Sequence, residues 1–560
     1  MKVISYDIGT TGVKTCLFEI GDTINLICGE YADYNLYVLD NGGVEQDTEE
    51  WWSAMCSSTK RLLEKADTVP EEIAGISFCS QMQGFVAVDS EGRALRRAMS
   101  YMDQRSGDVF RKVQTHGITV SGVNILMLLK SLRLTTAAST SVKDPLWKYK
   151  WVESNEPEIF KKMYKWLDVK EYLICRACGA FIMTPDSAYS TFLYDSRPGK
   201  EGWSDALCKM YGVKREHLPD IIECTDIAGG LTAKSAQELG LKEGTPVYGG
   251  GGDATLIGLG AGCTDIGQTH VYSGTSGWVG TLIPSQKVDI ISMIAGIICA
   301  EKGKYNYFAE METAGKCFEW VKNHLALDEI GIYLSKQDVA ESKETEYESL
   351  YDFLSDTVRD VPAGSGGVIF TPWLHGNRCP FEDPNAAGIF FNIGINTGKR
   401  QMIRAVLEGI CYHLRWMLES QDKKIKTSDT LRFVGGGALS NVTCQILADI
   451  TGRTVETVPD TKDVGSIGAA MLVAVGSGLI PSLSEAGRMI PVLERYTPVP
   501  ENKEVYDRNY KVFKKLYSAN KSSFAALNGK QAEAYLKNIR FCGKAWLMER
   551  VEARLRKEGY

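Results

Sequence analysis

The chain has little excess charge of either sign, no long hydrophobic run and no obvious leader. Its 560 residues contain 63 Lys and Arg against 70 Asp and Glu, so the net charge is −7, and no basic block typical of nucleic-acid binding occurs. The longest apolar stretch, Ile290–Ala300, is too short to cross a bilayer as a helix. The N-terminal MKVISYDIGTTG lacks the apolar centre of a secretory signal. We therefore expect a cytoplasmic protein without nucleic-acid or membrane partners.

Residues that usually form metal cages are few or poorly spaced. The six histidines show no metal-ligand spacing, and the 15 cysteines include one Cys-x-x-Cys, formed by Cys175 and Cys178. An odd number of scattered cysteines favours reduced thiols that serve as small core residues. These patterns argue against a His/Cys metal cage, whereas Mg²⁺ held by carboxylate and phosphate remains open.

Length and composition indicate a multidomain globular protein. The hydrophobic fraction of 44% and the charged fraction of 24% are ordinary for a soluble fold, which excludes disordered and collagen-like chains. The length exceeds what one core usually accommodates. Residues 2–8 read as a strand that turns at GTTG into a returning strand, and the spacing of Trp51, Met55 and Leu62 predicts a helix over Asp47–Lys65.

A distant similarity links the two halves of the chain. Gly9-Thr-Thr-Gly-Val13 and Gly274-Thr-Ser-Gly-Trp-Val279 are both hairpin turns of glycine and small hydroxylated residues, each preceded by a strand that contains Tyr. Such self-similarity suggests two related α/β domains that face a cleft. Two unrelated glycine-rich hairpins would give the same pattern, and the residues alone leave both interpretations open.

The two turns have the chemistry of phosphate sites. Glycine permits close approach, and several backbone N–H groups of such a turn can point at one anion. Asp7 precedes the first turn by two residues and could position hydrated Mg²⁺ beside a triphosphate, although a carboxylate at the end of a strand also caps turns. A third cluster, Gly435–Asn441, lies between a strand and a helix, where it is either a ligand-approach site or a tight connection.

Asp253 is the strongest candidate for a catalytic group. It follows four glycines, Gly249–Gly252, which would let the backbone run close to a ligand and direct the carboxylate into a cleft. A hydroxyl that accepts a phosphoryl group needs a nearby carboxylate to take its proton. The same Asp could instead cap a helix that begins at Ala254, and the two roles are compatible.

Two nucleotide-binding motifs are absent. No G-x-x-x-x-G-K-[ST] occurs, which excludes a P-loop. Gly258-Leu-Gly-Ala-Gly262 imitates part of a dinucleotide fingerprint, but no strand precedes it at the required place, so we interpret it as close helix packing.

Ten segments in order resemble the FGGY carbohydrate kinases, and among them most the xylulose kinases. They are YDIGTTGVK, GGVEQDTEEWW, SQMQGFVAVD, YMDQR, GGGGDA, SGTSG, GNRCPFEDPNAAG, RAVLEGI, GGGALSN and DVGSIGAAM, and they span about residues 1 to 515. The resemblance implies an α/β fold of two ribonuclease-H-like, actin-like ATPase-type domains flanking a deep cleft. It also implies ATP and Mg²⁺ as cofactors, a small sugar or polyol as the partner, and phosphoryl transfer to a primary hydroxyl.

The resemblance further assigns roles to individual residues. Asp253 falls on the catalytic base, which also contacts the substrate, and Asp7 falls on the aspartate associated with Mg²⁺. The nucleotide-binding positions are Gly9, Thr10, Thr11, Lys14, Gly274, Thr275, Gly436, Gly437, Ala438 and Asn441. The further substrate-facing positions are Gln81, Met82, Gln83, Asp103 and Arg105.

The resemblance also predicts a domain division. Residues 1–245 would form the N-terminal kinase domain, with the breaks between Leu218 and Gly244 as the junction, and residues 246–515 would form the C-terminal domain. Residues 516–560 would be a helical extension, since Gly529–Tyr560 reads as an amphipathic helix. That helix suits either extra packing or an oligomer contact, and a homodimer stays open.

Two positions depart from the xylulose kinase pattern. Gln83 stands where those kinases commonly have His, and Ala254 stands where they commonly have Asn after the catalytic Asp. Gln83 can still donate to and accept from a sugar hydroxyl, whereas Ala254 cannot. A pentulose such as xylulose is the expected acceptor, with ribulose, pentitols, tetritols, glycerol and gluconate as alternatives.

Two other functions compete with this prediction. An actin-like nucleotide switch would hydrolyse ATP regardless of any polyol, but the segments SQMQG and YMDQR argue for a bound substrate. A dinucleotide oxidoreductase built on Gly258–Gly262 would need a strand context that the sequence does not supply.

Overall fold

The computed structural model describes residues 1–120, 122–326 and 350–529. Within these ranges the chain is a mixed α/β protein with two large sheets and helices packed around them. The last described helix, Lys503–Asn528, covers the beginning of the predicted extension 516–560. The remainder of that extension, and with it almost all of the predicted helix Gly529–Tyr560, lies outside the described residues.

The first sheet contains seven strands. They are β1 (Lys2–Ile8), β2 (Gly12–Ile20), β3 (Ile24–Asp33), β4 (Ile73–Ser80), β5 (Ile227–Gly230), β6 (Pro246–Tyr248) and β7 (Gly251–Gly252). The order across the sheet is β5-β6-β4-β1-β2-β3, and β7 also pairs with β4. The predicted hairpin at the start of the chain is confirmed, with Asp7 opposite Lys14 and Ile8 opposite Val13.

The second sheet contains eight strands. They are β8 (Thr269–Ser273), β9 (Gly277–Ile283), β10 (Val288–Asp289), β11 (Ile294–Ile298), β12 (Tyr305–Met311), β13 (Thr430–Val434), β14 (Thr454–Glu456) and β15 (Arg495–Tyr496). The order across this sheet is β10-β11-β12-β9-β8-β13-β14-β15.

The two sheets repeat one topology. In the first, β3, β2 and β1 are antiparallel neighbours, β1, β4 and β6 run parallel, and β5 is antiparallel to β6. In the second, β12, β9 and β8 are antiparallel, β8, β13 and β14 run parallel, and β15 is antiparallel to β14. The similarity between the two glycine-rich hairpins therefore reflects two related units, and the fold is the expected pair of ribonuclease-H-like domains.

Helices surround the sheets and fill the connections. They are α1 (Thr48–Lys65), α2 (Gly107–Gln114), α3 (Ile125–Thr135), α4 (Pro145–Asn155), α5 (Pro157–Lys162), α6 (Val169–Cys178), α7 (Pro185–Ser190), α8 (Asp205–Tyr211), α9 (Ala233–Leu239), α10 (Asp253–Gly260), α11 (Gly315–His324), α12 (Leu350–Asp356), α13 (Lys399–Asp422), α14 (Asn441–Thr451), α15 (Val464–Gly476), α16 (Leu483–Arg488) and α17 (Lys503–Asn528). The predicted helix near the N-terminus is α1, which begins after the N-cap Asp47 and buries Trp51, Met55 and Leu62.

Short strands complete the described structure. They are Tyr37–Val38, Val44–Gln46, Val86–Val88, Ala98–Met99, Thr119–Val120, Val123–Asn124, Lys165–Leu167, Ile182–Met183, Tyr194–Asp195, Gly202–Trp203, Asp220–Ile221, Ile369–Phe370 and Phe390–Phe391. Across the described ranges, no helix has both the length and the apolar character needed to cross a membrane. The cysteines of these ranges, Cys175 and Cys178 included, are free thiols.

Helix α15 ties the two halves of the chain together. It comes from the second half of the sequence, yet it packs against β1, β2 and β4 of the first sheet and against α10. One buried cluster accordingly contains Val3 and Phe18 together with Val464 and Met471. A Cβ at Gly260 would lie 1.8 Å from the Val464 carbonyl oxygen, so the run Gly258–Gly262 is close helix packing, as its sequence indicated.

The strands on both sides of the predicted junction belong to the first sheet. The segment between Leu218 and Gly244 contains β5 and α9, and β5 is the edge strand of the first sheet. Strands β6 and β7 follow the predicted boundary at 245/246, yet both pair with β4 of that same sheet. The glycines and prolines of this segment are turns between sheet elements rather than a linker. The first sheet therefore ends at Gly252, directly before Asp253.

Candidate active site

The first glycine-threonine turn is the tip of the hairpin β1–β2. The Gly9 amide donates to the Gly12 carbonyl at 2.9 Å, and the Tyr34 hydroxyl donates to the Gly9 carbonyl at 2.5 Å. The amides of Thr10 and Thr11 donate to no acceptor in the part of the chain that the structure describes. Two adjacent free N–H groups on a fixed turn form an anion-binding concavity.

The second turn has the same construction. The Gly274 amide donates to the Ser276 carbonyl at 3.0 Å, between β8 and β9. The amides of Gly315 and Ala314, at the start of α11, donate to the carbonyls of Gly274 and Thr275 at 2.7 and 3.2 Å. Among the described residues, the amides of Thr275 and Ser276 find no acceptor. The two turns thus offer equivalent sets of donors from the two sheets.

The third glycine cluster lies against the second turn. Gly435 has φ of +91°, and a Cβ there would lie 2.7 Å from the Ser273 carbonyl oxygen. Gly436, Gly437 and Ala438 form a 3₁₀ turn that leads into α14, where Asn441 accepts a 2.7 Å hydrogen bond from the Tyr496 hydroxyl. The parallel pairing of β8 with β13 places this cluster beside Gly274. The predicted adenosine-binding residues are therefore contiguous with the second phosphate turn.

Asp253 begins α10 directly after the first sheet ends. The glycines before it are required by close contacts: Gly250 has φ of +67° and approaches the Phe78 carbonyl, and a Cβ at Gly252 would lie 2.1 Å from Met82 Sδ. Asp253 Oδ1 accepts the Ala254 amide at 2.7 Å, and the helix begins at Asp253 itself with Gly252 as its N-cap. The carboxylate consequently retains an oxygen that can receive a ligand.

The surroundings of Asp253 make it a base near neutral pH. The Asp253 side chain is half-buried. Burial is the main cause that raises the pKa of Asp253 to about 7; the Ala254 amide opposes it, and the negative charges of Asp7, Glu310 and Asp168 add smaller upward contributions. Glu310 lies on β12 of the second sheet and Asp7 on β1 of the first, so Asp253 lies between the two sheets.

Asp7 is a partly buried carboxylate whose environment suits the binding of a cation. Burial raises its pKa, and Lys14 on the neighbouring strand opposes that effect. Lys14 Nζ lies 2.8 Å from Asp463 Oδ1 and donates to the Lys462 carbonyl at 2.9 Å, which fixes the ammonium before α15. No group of three or more His, Cys, Asp or Glu within the described ranges could hold a metal alone. A single carboxylate beside a phosphate turn suits Mg²⁺ that is bound largely through phosphate oxygens.

The predicted substrate segment connects the phosphate turn to the carboxylate. Gln81 Nε2 donates to Gln46 Oε1 at 3.0 Å, and Gln46 Nε2 donates to the Thr10 carbonyl at 2.7 Å. Gln81 Oε1 is buried and has no partner within the described structure. Met82 packs against Gly252, next to Asp253. An unpaired buried acceptor at this point is ready for a donor such as a sugar hydroxyl.

Asp103 and Arg105 form a buried ion pair with each other. Asp103 has no exposed surface, and its Oδ2 accepts Arg105 Nη2 at 2.6 Å and the Val44 amide at 2.8 Å. Arg105 Nη2 also donates to Glu45 at 2.7 Å, and its guanidinium lies over the Trp151 ring. The structure pairs the two residues with each other because an isolated buried charge is costly. The contact of these two residues with the substrate stays a prediction.

Several residues at the site escaped sequence reasoning. Tyr101 lies in the YMDQR segment, and its hydroxyl is 3.3 Å from Thr10 Oγ1. Asp186 accepts the Gly252 amide at 2.7 Å, and Lys148 and Asp168 contact the backbone at Gln83. Burial lowers the pKa of Lys148 to about 8 and, with the charge of Glu171, raises that of Asp168 to about 7. Residues this far apart in sequence carry no shared spacing, so only the fold brings them together.

Comparison with known families identifies both halves of the chain. The N-terminal domain of the FGGY family of carbohydrate kinases matches residues 2–260, and its C-terminal domain matches residues 270–477. A xylulose kinase of Bacillus subtilis (strain 168) is 27% identical over 528 residues, covering 94% of this chain and 98% of the relative. A gluconokinase of the same strain is 27% identical over 507 residues, covering 90% and 93%.

Solved structures show the same fold. A ligand-bound xylulose kinase from Lactobacillus acidophilus superposes with a TM-score of 0.80 at 24% identity, covering 94% of this chain and 99% of the other. A gluconate kinase from Lactobacillus acidophilus superposes with a TM-score of 0.79 at 24% identity, with the same coverage. The domain matches extend over most of the chain and include the two phosphate turns and Asp253. The chain therefore belongs to the FGGY family of carbohydrate kinases and is an ATP-using sugar kinase.

Proposed function

We propose that this kinase transfers the γ-phosphoryl group of MgATP to a primary hydroxyl of a pentulose such as xylulose, with Asp253 as the general base. The observation that carries the proposal is the position of Asp253 between the sheets, beside Met82 and Asp7, with a pKa near 7. A carboxyl that titrates near the working pH is well matched to accept a proton from an alcohol. The several xylulose kinases among the curated relatives support the choice of acceptor.

The nucleotide would lie across both sheets. In this proposal the free amides of Thr10, Thr11 and Thr275 bind phosphate oxygens, and Gly436, Gly437, Ala438 and Asn441 border the adenosine. Asp7 would hold Mg²⁺. Lys14, on the neighbouring strand, is held in place by its ion pair with Asp463. The cation would neutralise charge on the phosphates and orient the terminal phosphoryl group.

The proton transfer follows from the open carboxylate oxygen. As the sugar oxygen forms its bond to phosphorus and the bond to the ADP oxygen breaks, the hydroxyl proton passes to Asp253. The products are the sugar phosphate and ADP, and the proton later leaves Asp253 for solvent. Gln81 Oε1 would accept a second sugar hydroxyl and so hold the reacting one in place.

Gluconate is the second candidate acceptor. Two gluconokinases are 27% and 26% identical to this chain. These values are comparable to the identities of most of the xylulose kinases. Gln83 and Ala254 also depart from the pattern of xylulose kinases, at positions that would face sugar hydroxyls. Loss of a polar partner at Ala254 alters discrimination among acceptors by about 1–3 kcal/mol.

A panel of acceptors tests the proposal. ADP release would be measured with xylulose, ribulose, a pentitol, a tetritol, glycerol and gluconate, each against a reaction without acceptor. We expect the largest kcat/KM with xylulose. A larger kcat/KM with gluconate would identify gluconate as the acceptor and leave the proposed catalytic mechanism unchanged. ATP hydrolysis at one rate regardless of acceptor would instead indicate an actin-like nucleotide switch and overturn the proposal.

A further inference from the structure

The peptide of Gln83 lies between two buried charges of opposite sign. Lys148 Nζ, from the first turn of α4, donates to the Gln83 carbonyl at 2.6 Å. Asp168, the N-cap of α6, accepts the Gln83 amide at 2.8 Å through Oδ2 and the Gly84 amide at 2.7 Å through Oδ1. Both polar groups of one residue are therefore held from outside its own segment. We call this arrangement of Lys148, Asp168 and the Gln83 backbone the Gln83 clamp.

The clamped residue has an unfavourable backbone conformation. Gln83 has φ of +65°, in the left-handed region that residues other than glycine rarely adopt. Gly84 packs closely on the same carboxylate, since a Cβ there would lie 2.7 Å from Asp168 Oδ1. Such a conformation persists only where surrounding contacts over-determine it, and such residues gather at functional sites.

Lys148 and Asp168 form few hydrogen bonds outside the Gln83 clamp. Lys148 has no exposed surface, and its ammonium makes no hydrogen bond within the described ranges besides that to Gln83. Apart from the Gln83 and Gly84 amides, Asp168 accepts the amide of its neighbour Val169 at 2.8 Å. A buried ammonium with one hydrogen bond is costly to stability, and an apolar side chain of the same length would fill the space more favourably. A contribution to packing alone therefore does not explain the lysine.

The side chain of Gln83 is left free by this arrangement. It is half-buried, and its amide makes no hydrogen bond to any residue that the structure describes. Met82, its neighbour, packs on Gly252 directly before Asp253. The backbone conformation of Gln83 consequently decides where an unpaired amide, able both to donate and to accept, is directed.

We propose that Lys148 and Asp168 are positioning residues that hold Gln83 in its left-handed conformation and thereby set which acceptor the kinase selects. The inference rests on the proposed place of the acceptor beside Asp253. The clamp acts on recognition of the acceptor and not on the nucleotide. Because the clamp fixes this segment before the acceptor binds, binding does not include the entropic cost of ordering it.

The principal variant is Lys148→Met, which keeps the length of the side chain and removes the donor. We expect KM for the best acceptor of the panel above to rise about tenfold, and the ratio of kcat/KM between xylulose and gluconate to move toward one. KM for ATP and hydrolysis of ATP without acceptor should stay within about twofold, because the nucleotide groups are untouched. Lys165→Met is the matched control, since Lys165 also donates to backbone carbonyls in this domain but far from Asp253.

A double variant separates positioning from general damage. If Lys148 acts through Gln83, then Lys148→Met should add little to the loss caused by Gln83→Ala. Fully additive losses, or equal losses in KM for acceptor and for ATP, would overturn the proposal. Asp168→Asn provides a second route should Lys148→Met fold poorly, and it should shift the same acceptor ratio.

A structural measurement keeps the inference independent of the acceptor. In a crystal structure of Lys148→Met we expect Gln83 to leave the left-handed region. A Gln83 that keeps φ near +65° without the lysine would show that the clamp does not hold it, whatever sugar the enzyme phosphorylates. A wild-type enzyme that phosphorylates no member of the panel would instead refute the proposed function and leave this structural test decisive for the clamp.

Discussion

The backbone amide of Gly252 donates a 2.7 Å hydrogen bond to the buried carboxylate of Asp186, 66 residues earlier in the chain. Asp253 is the next residue after Gly252. The other oxygen of Asp186 accepts the Thr184 hydroxyl at 2.5 Å, and Thr184 in turn receives a hydrogen bond from the buried Lys170. A network of buried side chains thus fixes the peptide that precedes Asp253, the proposed catalytic carboxylate.

Removing this anchor should reduce turnover. In Asp186→Ala the Gly252 amide is left buried without an acceptor, which costs about 1–3 kcal/mol of stability and lets Asp253 move. We expect kcat to fall about 10- to 100-fold. Steady-state kinetics and urea unfolding would measure the two effects. Asp89→Ala is the control, because Asp89 also accepts backbone amides but lies in a distant turn. Wild-type kcat in Asp186→Ala would contradict the positioning role.

The catalytic assignment predicts a selective loss in Asp253→Asn. The amide keeps the shape of the side chain but cannot take a proton, so sugar phosphorylation should fall about 10²- to 10⁴-fold. Binding of ATP, measured by calorimetry, should persist because the phosphate turns are unchanged. The exposed Asp22→Asn serves as control for loss of one negative charge. Near-normal turnover in Asp253→Asn would remove the mechanism.

The raised pKa of Asp253 predicts how activity depends on pH. Burial, followed by the neighbouring carboxylates, moves the pKa to about 7, so the base is protonated and inactive below that pH. We expect kcat/KM for the acceptor to rise tenfold per pH unit below about 7 and then to level off. A rate that stays constant between pH 5 and 8 would show that no group of this pKa limits the reaction.

The raised pKa of Asp253 also predicts that the folded protein becomes less stable as the pH rises. The folded protein holds this proton more tightly than the unfolded chain, whose carboxyl has the ordinary pKa of 3.8. The contribution to stability is therefore complete below pH 3.8 and lost as the pH rises through about 7. Asp253→Asn should raise Tm by roughly 2–4 °C at pH 8 and leave it unchanged at pH 4. Thermal unfolding without ligand at the two pH values would measure this difference.

The contact between Gly252 and Met82 predicts a change in acceptor affinity. In Gly252→Ala the new methyl group would lie 2.1 Å from Met82 Sδ, so the flexible Met82 side chain must move. We expect KM for the acceptor to rise several-fold, with about 1–3 kcal/mol lost in stability from overpacking. Gly21→Ala is the matched control, because no atom lies within 4 Å of its Cβ position. Unchanged KM for every acceptor in Gly252→Ala would place Met82 away from the sugar.

Much of the architecture could be predicted from the sequence, because it depends on local patterns. The hairpin at Gly9, the helix after Asp47 and the similarity of the turn at Gly274 are encoded by neighbouring residues. The domain division at 245/246 stays a prediction, because the local sequence around it does not show which sheet each strand joins. Glycine and proline mark the turns before β5 and β6 as they would mark a linker, and strand pairing alone assigns both strands to the first sheet.

The supporting residues of the site could not be predicted in the same way. Asp168 reads as an ordinary N-cap and Lys148 as an ordinary helical lysine, since their partner Gln83 lies 85 and 65 residues away, respectively. Asp103 and Arg105, two residues apart, form a mutual ion pair that their spacing did not predict, and their contact with the sugar stays a prediction. Burial and long-range pairing decide these roles, and neither is visible in residue spacing.

Helix α15 has a consequence for the history of the chain. The two sheets repeat one topology, as a duplicated gene would give, yet this late helix completes the interior of the early half by packing on β1, β2 and β4. A fragment that ended after Gly260 would leave Val3 and Phe18 without their covering layer. The two halves of the chain can thus no longer be separated. Truncation of this sequence would not give back a stable half-length protein of the kind that was duplicated.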